Sequence, residues 1–218
     1  MKVVPIQTSR RVGQALLLTL AVLAAACRGP VSPSPVEPST IPTYNRDDWE
    51  HWIDADGDCQ DTRQEVLIEE SLTPVVFVDA RSCRVLSGTW RDAYSGSFYN
   101  DPGQLDVDHL VPLENAHRSG AWAWSRERKR DYANDLIDRN HLIAVYLSLN
   151  RQKGSQTPAT WKPPDRAAWC AYAQAWIGVK ERWSLSLVTE ERAALSDGCP
   201  VPPPSLSLEF MEGEPNWR

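Results

Sequence analysis

Asp106-Val107-Asp108-His109-Leu110-Val111-Pro112 decides the fold when it is read with two later stretches, Asn140-His141-Leu142-Ile143-Ala144-Val145 and Asn150-Arg151-Gln152-Lys153-Gly154. The first lies in an apolar strand from Leu105 to Leu113, with Pro112 near its end, where a missing amide donor is tolerated. The second is opened by Asn140 and leads into a β-branched strand, Leu142 to Leu147. In the third, Asn150 begins a helical turn that Pro158 limits. The order predicts strand, strand, helix, with Asp108 and His109 at the end of one strand and Asn150 at the start of the helix. An Asp-His pair at a strand end is, by itself, usually a surface hydrogen bond. The two Asn that follow in order give it meaning.

Those residue types suit phosphodiester hydrolysis, which needs an activated water, charge neutralisation on the phosphate and help for the leaving oxygen. One hard cation supplies the last two, and one or two protein oxygens suffice to hold it. Asp108 and Asn150 offer such oxygens. His109 alternates in direction from Asp108, so it need not bind the same metal, and a neutral imidazole can take a proton from water.

Outward from this core, Thr62 to Ser71 predicts a helix with Thr62 as cap and Glu65 three residues on. Val75–Val78 and Cys83–Trp90 predict strands, and Tyr94-Ser95-Gly96-Ser97 a turn. Ala121 to Ile137 reads as a helix inside the unit. Asp165 to Trp183 is the most strongly helical stretch, with Ala168, Trp169, Tyr172, Trp176 and Val179 at helical spacing, and Thr189 to Leu195 reads as a short capped helix with acids in its first turn. The ten Trp favour core packing over base-stacking platforms, since several share helix faces with other apolar residues.

The N-terminus predicts a targeting segment over 1–27: Lys2, Arg10 and Arg11, an apolar run, then Leu23-Ala24-Ala25-Ala26-Cys27. Cys27 resembles the lipidated Cys of a bacterial lipobox, although Ala24 stands where that pattern prefers Leu. A secretory cut at the same place and an uncleaved anchor are the alternatives, and all three export the protein. Residues 28–43 form a Pro/Ser-rich linker and 200–218 a similar tail. Between them, 44–199 forms one domain of ordinary size, about 155 residues, with its core at about 105–162.

Without Cys27, four cysteines remain: Cys59, Cys83, Cys170 and Cys199. In an exported chain they suggest two disulfides, with three pairings open; sequence-local pairing brackets two small units. No C-x-x-C occurs, which argues against structural zinc. The formal charge of −6 argues against tight nonspecific nucleic-acid binding. Yet 105–162 carries nine Lys and Arg against seven Asp and Glu, so the core is +2 and the remainder −8.

Asp106-Val107-Asp108-His109 and Asn150-Arg151-Gln152-Lys153 are similar to the HNH domain of RNA-guided DNA-cleaving effectors. A wider set, adding Cys59-Gln60-Asp61-Thr62-Arg63, Ser87-Gly88-Thr89-Trp90 and Arg118-Ser119-Gly120-Ala121-Trp122, resembles an exported bacterial HNH endonuclease family. That family is related to the C-terminal domain of GmrSD-type restriction enzymes. The resemblance implies an α+β protein with a ββα-metal core and flanking helices. His109 would be the general base, and Asp108 and Asn150 metal ligands. Asn140 would order the loop carrying the histidine, and Lys153 would meet a phosphate or the leaving group. Asn150, where many members have His, favours Mg²⁺ or Mn²⁺ over a nitrogen-rich zinc site. The substrate is nucleic acid, DNA ahead of RNA, with no obligate protein partner and a membrane contact only through a lipidated Cys27.

Plainer readings stand beside these. Asn140 is equally a turn residue, and Lys153 a solvated helix charge. Arg63, Arg118 and Arg151 are the substrate-binding candidates, but Arg63 is as readily a structural ion pair and Arg118 part of a solvated face. His117 is the reserve base. Asp54, Asp56, Asp58 and Glu65 imitate the spacing of a calcium loop, with Cys59 where the turn glycine belongs, against an acidic turn pinned by a disulfide. A noncatalytic exported lipoprotein binding Ca²⁺ there is the competing function.

Overall fold

Asp61, rather than Thr62, caps the first helix of the computed structural model, which describes residues 41–197 and Cys199. The expected targeting segment with Cys27, the linker up to residue 40 and the tail 200–218 lie outside the described residues. The Asp61 carboxylate accepts from Gln64 N at 2.9 Å, which frees the Thr62 hydroxyl to donate to Ile53 O and Asn134 Oδ1. This helix is α1 (Thr62–Glu70). Three two-stranded antiparallel sheets are present among the described residues: β1 (Val76–Phe77) with β2 (Val85–Ser87), β3 (Trp90–Arg91) with β4 (Phe98–Tyr99), and β5 (Leu105–His109) with β6 (Leu142–Tyr146).

The third sheet organises the molecule. Leu105 lies opposite Tyr146 and His109 opposite Leu142, and alternation sends the two faces to different cores. Leu105, Val107, Leu142 and Ala144 pack with Val66 and Leu67 of α1 and with Val85 and Trp90. Val145, on the other face, joins a larger cluster built on Trp49, Tyr94, Tyr132, Tyr172 and Trp176. Trp49, Trp90 and Trp176 are fully buried, as a packing role requires.

β5 is shorter than the sequence suggests. Its ladder ends at His109, Leu110 N donates to His141 O, and Tyr132 Oη donates to Val111 O, so the chain turns there. Pro112 then opens a helix the periodicity does not announce, α2 (Leu113–Arg118). The helix expected over Ala121–Ile137 is divided: a 3₁₀ turn covers Ala121–Ala123, and Ser125 caps α3 (Arg126–Ala133) by accepting from Arg128 N. β6 runs directly into α4 (Leu147–Lys153), so Asn150 sits in mid-helix rather than at its start. Gly154, at φ +50°, ends α4 in a backbone conformation that few other residues adopt.

A 3₁₀ turn at Arg166–Ala168 leads into α5 (Trp169–Arg182), and α6 (Thr189–Leu195) follows. Six α-helices and three small sheets thus make the described region α+β. Cys59 is bonded to Cys83 and Cys170 to Cys199, the sequence-local pairing. A buried ion pair ties the C-terminal helices: Lys180 Nζ lies 2.6 Å from Glu191 Oε2, and Glu191 Oε1 accepts from Asn115 of α2. No described helix is long and apolar enough to cross a membrane.

Candidate active site

α3 ends at Ala133, and the last turn of a helix leaves carbonyls without intrahelical donors. Two imidazoles take them. His109 Nε2 meets Ala133 O at 2.9 Å, and His141 Nε2 meets Tyr132 O at 2.7 Å. A carbonyl only accepts, so each Nε2 carries the proton and the neutral ring keeps its lone pair on Nδ1. Burial, reinforced by His141 and more weakly by His51 and Arg46, pushes the His109 pKa well below the usual imidazole value. His109 is thus a neutral ring whose Nδ1 meets no protein donor among the described residues. Stacking fixes its plane: Trp52 lies at 5.6 Å between ring centroids and 28°, and Tyr132 at 6.4 Å and 7°.

The ring borders a cleft of about 390 Å³ whose walls include Trp52, Arg46, Asp108, His109, Asn150 and Arg151. Asp106 and Asp108 share the face of β5 turned to α4. Asn150 Nδ2 donates to Asp106 Oδ2 at 3.2 Å, so the amide is oriented and its Oδ1 has no protein donor among the described residues. The buried Asp108 carboxylate accepts from Tyr94 Oη at 2.6 Å and from Lys153 Nζ at 2.8 and 3.0 Å. Burial raises the Asp108 pKa and lowers that of Lys153, and each charge offsets the other's desolvation.

The structure therefore gathers Asp108, His109, Asn150 and Arg151 around one cleft and sends other expected residues elsewhere. Lys153, completely buried, does not reach the cleft where it was expected to meet a phosphate; its ammonium is held by Asp108 and by His109 O at 3.1 Å. Asn140 is exposed and its amide bonds Asp138, with no hydrogen bond to the loop carrying His109. The backbone of the next residue does that work, through Leu110 N to His141 O. Arg63 Nη2 donates to the carbonyls of Pro102 and Leu105, and Arg63 is not among the residues lining the cleft. Arg118 pairs with Glu114 and donates to Ser155 O, both at the cleft rim. Arg151 is mostly exposed and 3.9 Å from Asp106 Oδ2. His117 Nε2 bonds Pro42 O and its Nδ1 is sealed.

Asp54, Asp56 and Asp58 bring carboxylate oxygens within 4.8 Å of one another at an exposed loop, without Glu65. Backbone amides already use them: Asp54 accepts from Gly57 and Cys59, Asp56 from Asp58, and Asp58 from Gln60. Trp52, Arg46 and Tyr94 escape a sequence reading because they come from segments 14 or more residues before Asp108, with no motif of their own.

Residues 61–197 match the family model of the GmrSD restriction endonucleases' C-terminal domain. The chain belongs to this family. A relative described as an uncharacterized secreted protein, from Arthroderma benhamiae, is 41% identical over 153 residues, covering 70% of this chain and 72% of that protein. No solved structure matches. The span matched to the GmrSD C-terminal domain includes Asp108, His109 and Asn150, and it begins after Arg46 and Trp52.

Proposed function

We propose that this chain is an exported, metal-dependent endonuclease of the HNH (ββα-metal) class that hydrolyses phosphodiester bonds in nucleic acid, DNA ahead of RNA. One observation carries the reading: His109, held by Ala133 O and two aromatic rings with its Nδ1 lone pair left without a protein donor among the described residues, lines one cleft with Asp108 and Asn150. The β5-β6-α4 order and membership of a restriction-endonuclease family support it.

The donors fit a hard divalent cation. Asn150 Oδ1 is open, and a carboxylate offers about four lone-pair directions, of which Tyr94 and Lys153 use only some. Asp108 and Asn150 would hold Mg²⁺ or Mn²⁺, which retains waters and accepts so few protein oxygens. Bound there, the cation supplies charge neutralisation at the phosphate and the leaving oxygen. His109 Nδ1 takes the proton of the attacking water. Ala133 O keeps the ring in the tautomer that can do so, while Lys153 and Tyr94 orient Asp108. The disulfides support export, as does the description of the relative as secreted. Lipidation of Cys27 would make the enzyme anchored rather than released.

The test is cleavage of single- and double-stranded DNA and RNA in Mg²⁺ or Mn²⁺, with EDTA as control. Divalent-dependent internal cuts are expected. Ca²⁺-dependent thermal stabilisation with no cleavage of any substrate would instead favour a noncatalytic protein using the Asp54/Asp56/Asp58 loop, where three carboxylates converge.

A further inference from the structure

A nuclease cleft needs a cation for the substrate's backbone, and the expected ones are mostly committed: Lys153 is buried on Asp108, Arg63 holds carbonyls and Arg118 pairs with Glu114. Arg151 has Asp106 at 3.9 Å. Arg46 differs. It is exposed, lines the cleft, and makes no ion pair among the described residues. Its guanidinium donates to His51 Nε2 at 3.1 Å and lies beside the neutral Tyr44 hydroxyl. His51 Nδ1 meets Trp49 O at 2.7 Å, which fixes the ring and turns Nε2 to the Arg46 guanidinium, so an uncharged acceptor rather than a carboxylate aims this cation. A guanidinium carries five N–H donors, so this bond leaves several for phosphate oxygens.

The segment bearing Arg46 is anchored. Asn134 Oδ1 accepts from Ile53 N, and Asn134 Nδ2 donates to Glu50 O. Between them Trp52 adopts φ +59°, a conformation costly for a bulky side chain, and places its indole on His109. Strain held at a cleft wall by packing and hydrogen bonds on both sides is what a preorganised wall requires.

We infer that Arg46, aimed by His51, is the cation that grips a backbone phosphate of the nucleic-acid substrate, so the segment preceding the family-matched region completes the site. This inference rests on the endonuclease reading of the cleft. The guanidinium binds the phosphodiester as a positioning group and takes no part in proton transfer.

The experiment measures binding and cleavage separately, using labelled duplex DNA, single-stranded DNA and RNA of equal length. In a His109→Ala background with Mg²⁺, Arg46→Ala should weaken binding of the preferred substrate about tenfold and lower the salt slope by about one. Arg46→Lys should recover part of the affinity. Arg81→Ala removes another exposed charge, paired with Asp79 and outside the cleft lining, and should leave both unchanged. In the cleaving enzyme, Arg46→Ala should raise KM about tenfold with kcat changed less than about threefold. If the enzyme cuts and Arg46→Ala matches Arg81→Ala in affinity, slope and KM, the role of Arg46 is overturned while the endonuclease reading stands. If the wild type neither binds nor cuts any of the three, both are overturned.

Discussion

His109 shows how little chemistry a side chain has until its neighbours restrict it. Alone it is an imidazole with two interchangeable nitrogens; against Ala133 O it becomes a neutral ring with one defined lone pair. Trp52 guards the ring's orientation from the cleft side. We predict that Trp52→Ala lowers kcat by about tenfold or more with a small change in KM. Loss of the indole also relieves the bulky residue at positive φ, so the melting temperature should change little; a large fall with unaltered kcat in the folded fraction would make Trp52 purely structural. Lys153 makes the opposite case. A lysine that met substrate from the surface could be removed without cost to the fold. Here Lys153→Met leaves Asp108 buried without its partner and should cost about 3–5 kcal/mol in chemical denaturation. A loss below about 1 kcal/mol would place its ammonium in solvent instead.

At the scale of elements, the strand-strand-helix order was legible because apolar runs and turn residues mark it. What could not be read was where each element stops. β5 ends four residues before Leu113 because Leu110 N and Val111 O find partners in His141 and Tyr132, contacts made across 21 residues or more. Asp61 displaced Thr62 as cap because Thr62 had a better use for its hydroxyl at Ile53 and Asn134. For the site, motif spacing named Asp108, His109 and Asn150, yet their partners Tyr94, Trp52 and Ala133 O are set by tertiary packing and leave no local signature. Spacing also could not show that Lys153 points inward.

One element contact has a pH signature. Glu70, at the end of α1, accepts from Ala144 N of β6 at 2.8 Å, and burial pushes its carboxyl up to about 7. The native state then holds a proton that the unfolded state has lost between about 4.5 and about 7, so this group's contribution is fully present at low pH and is lost as pH rises through about 7. Glu70→Gln removes the ionisation while keeping an acceptor for Ala144. Relative to wild type it should raise stability at pH 8, by about 1–3 kcal/mol, and change it little at pH 4. A difference independent of pH would contradict the assignment.

Across the whole molecule, one covalent tie pins an exposed loop and the other lies against the larger hydrophobic core. The Cys59–Cys83 bond joins the acidic loop to the start of β2's strand region, and Cys170–Cys199 joins α5 to the end of the described chain. The bonded cysteines lie 24 and 29 residues apart in sequence, a separation for which chain entropy predicts about 3.5 kcal/mol. Replacing Cys59 and Cys83 together by Ser should therefore lower the melting temperature measurably under oxidising conditions, and reductant should lower that of the wild type but scarcely shift a variant lacking all four. An unchanged wild-type midpoint in reductant would show the bonds to be dispensable.

The most direct measurement is plasmid nicking in Mg²⁺ by the wild type and by His109→Ala, both checked as folded by circular dichroism. The expected result is nicking that EDTA stops and that the variant lacks at equal fold content. Cutting by His109→Ala at the wild-type rate would contradict the assignment of His109 as the base.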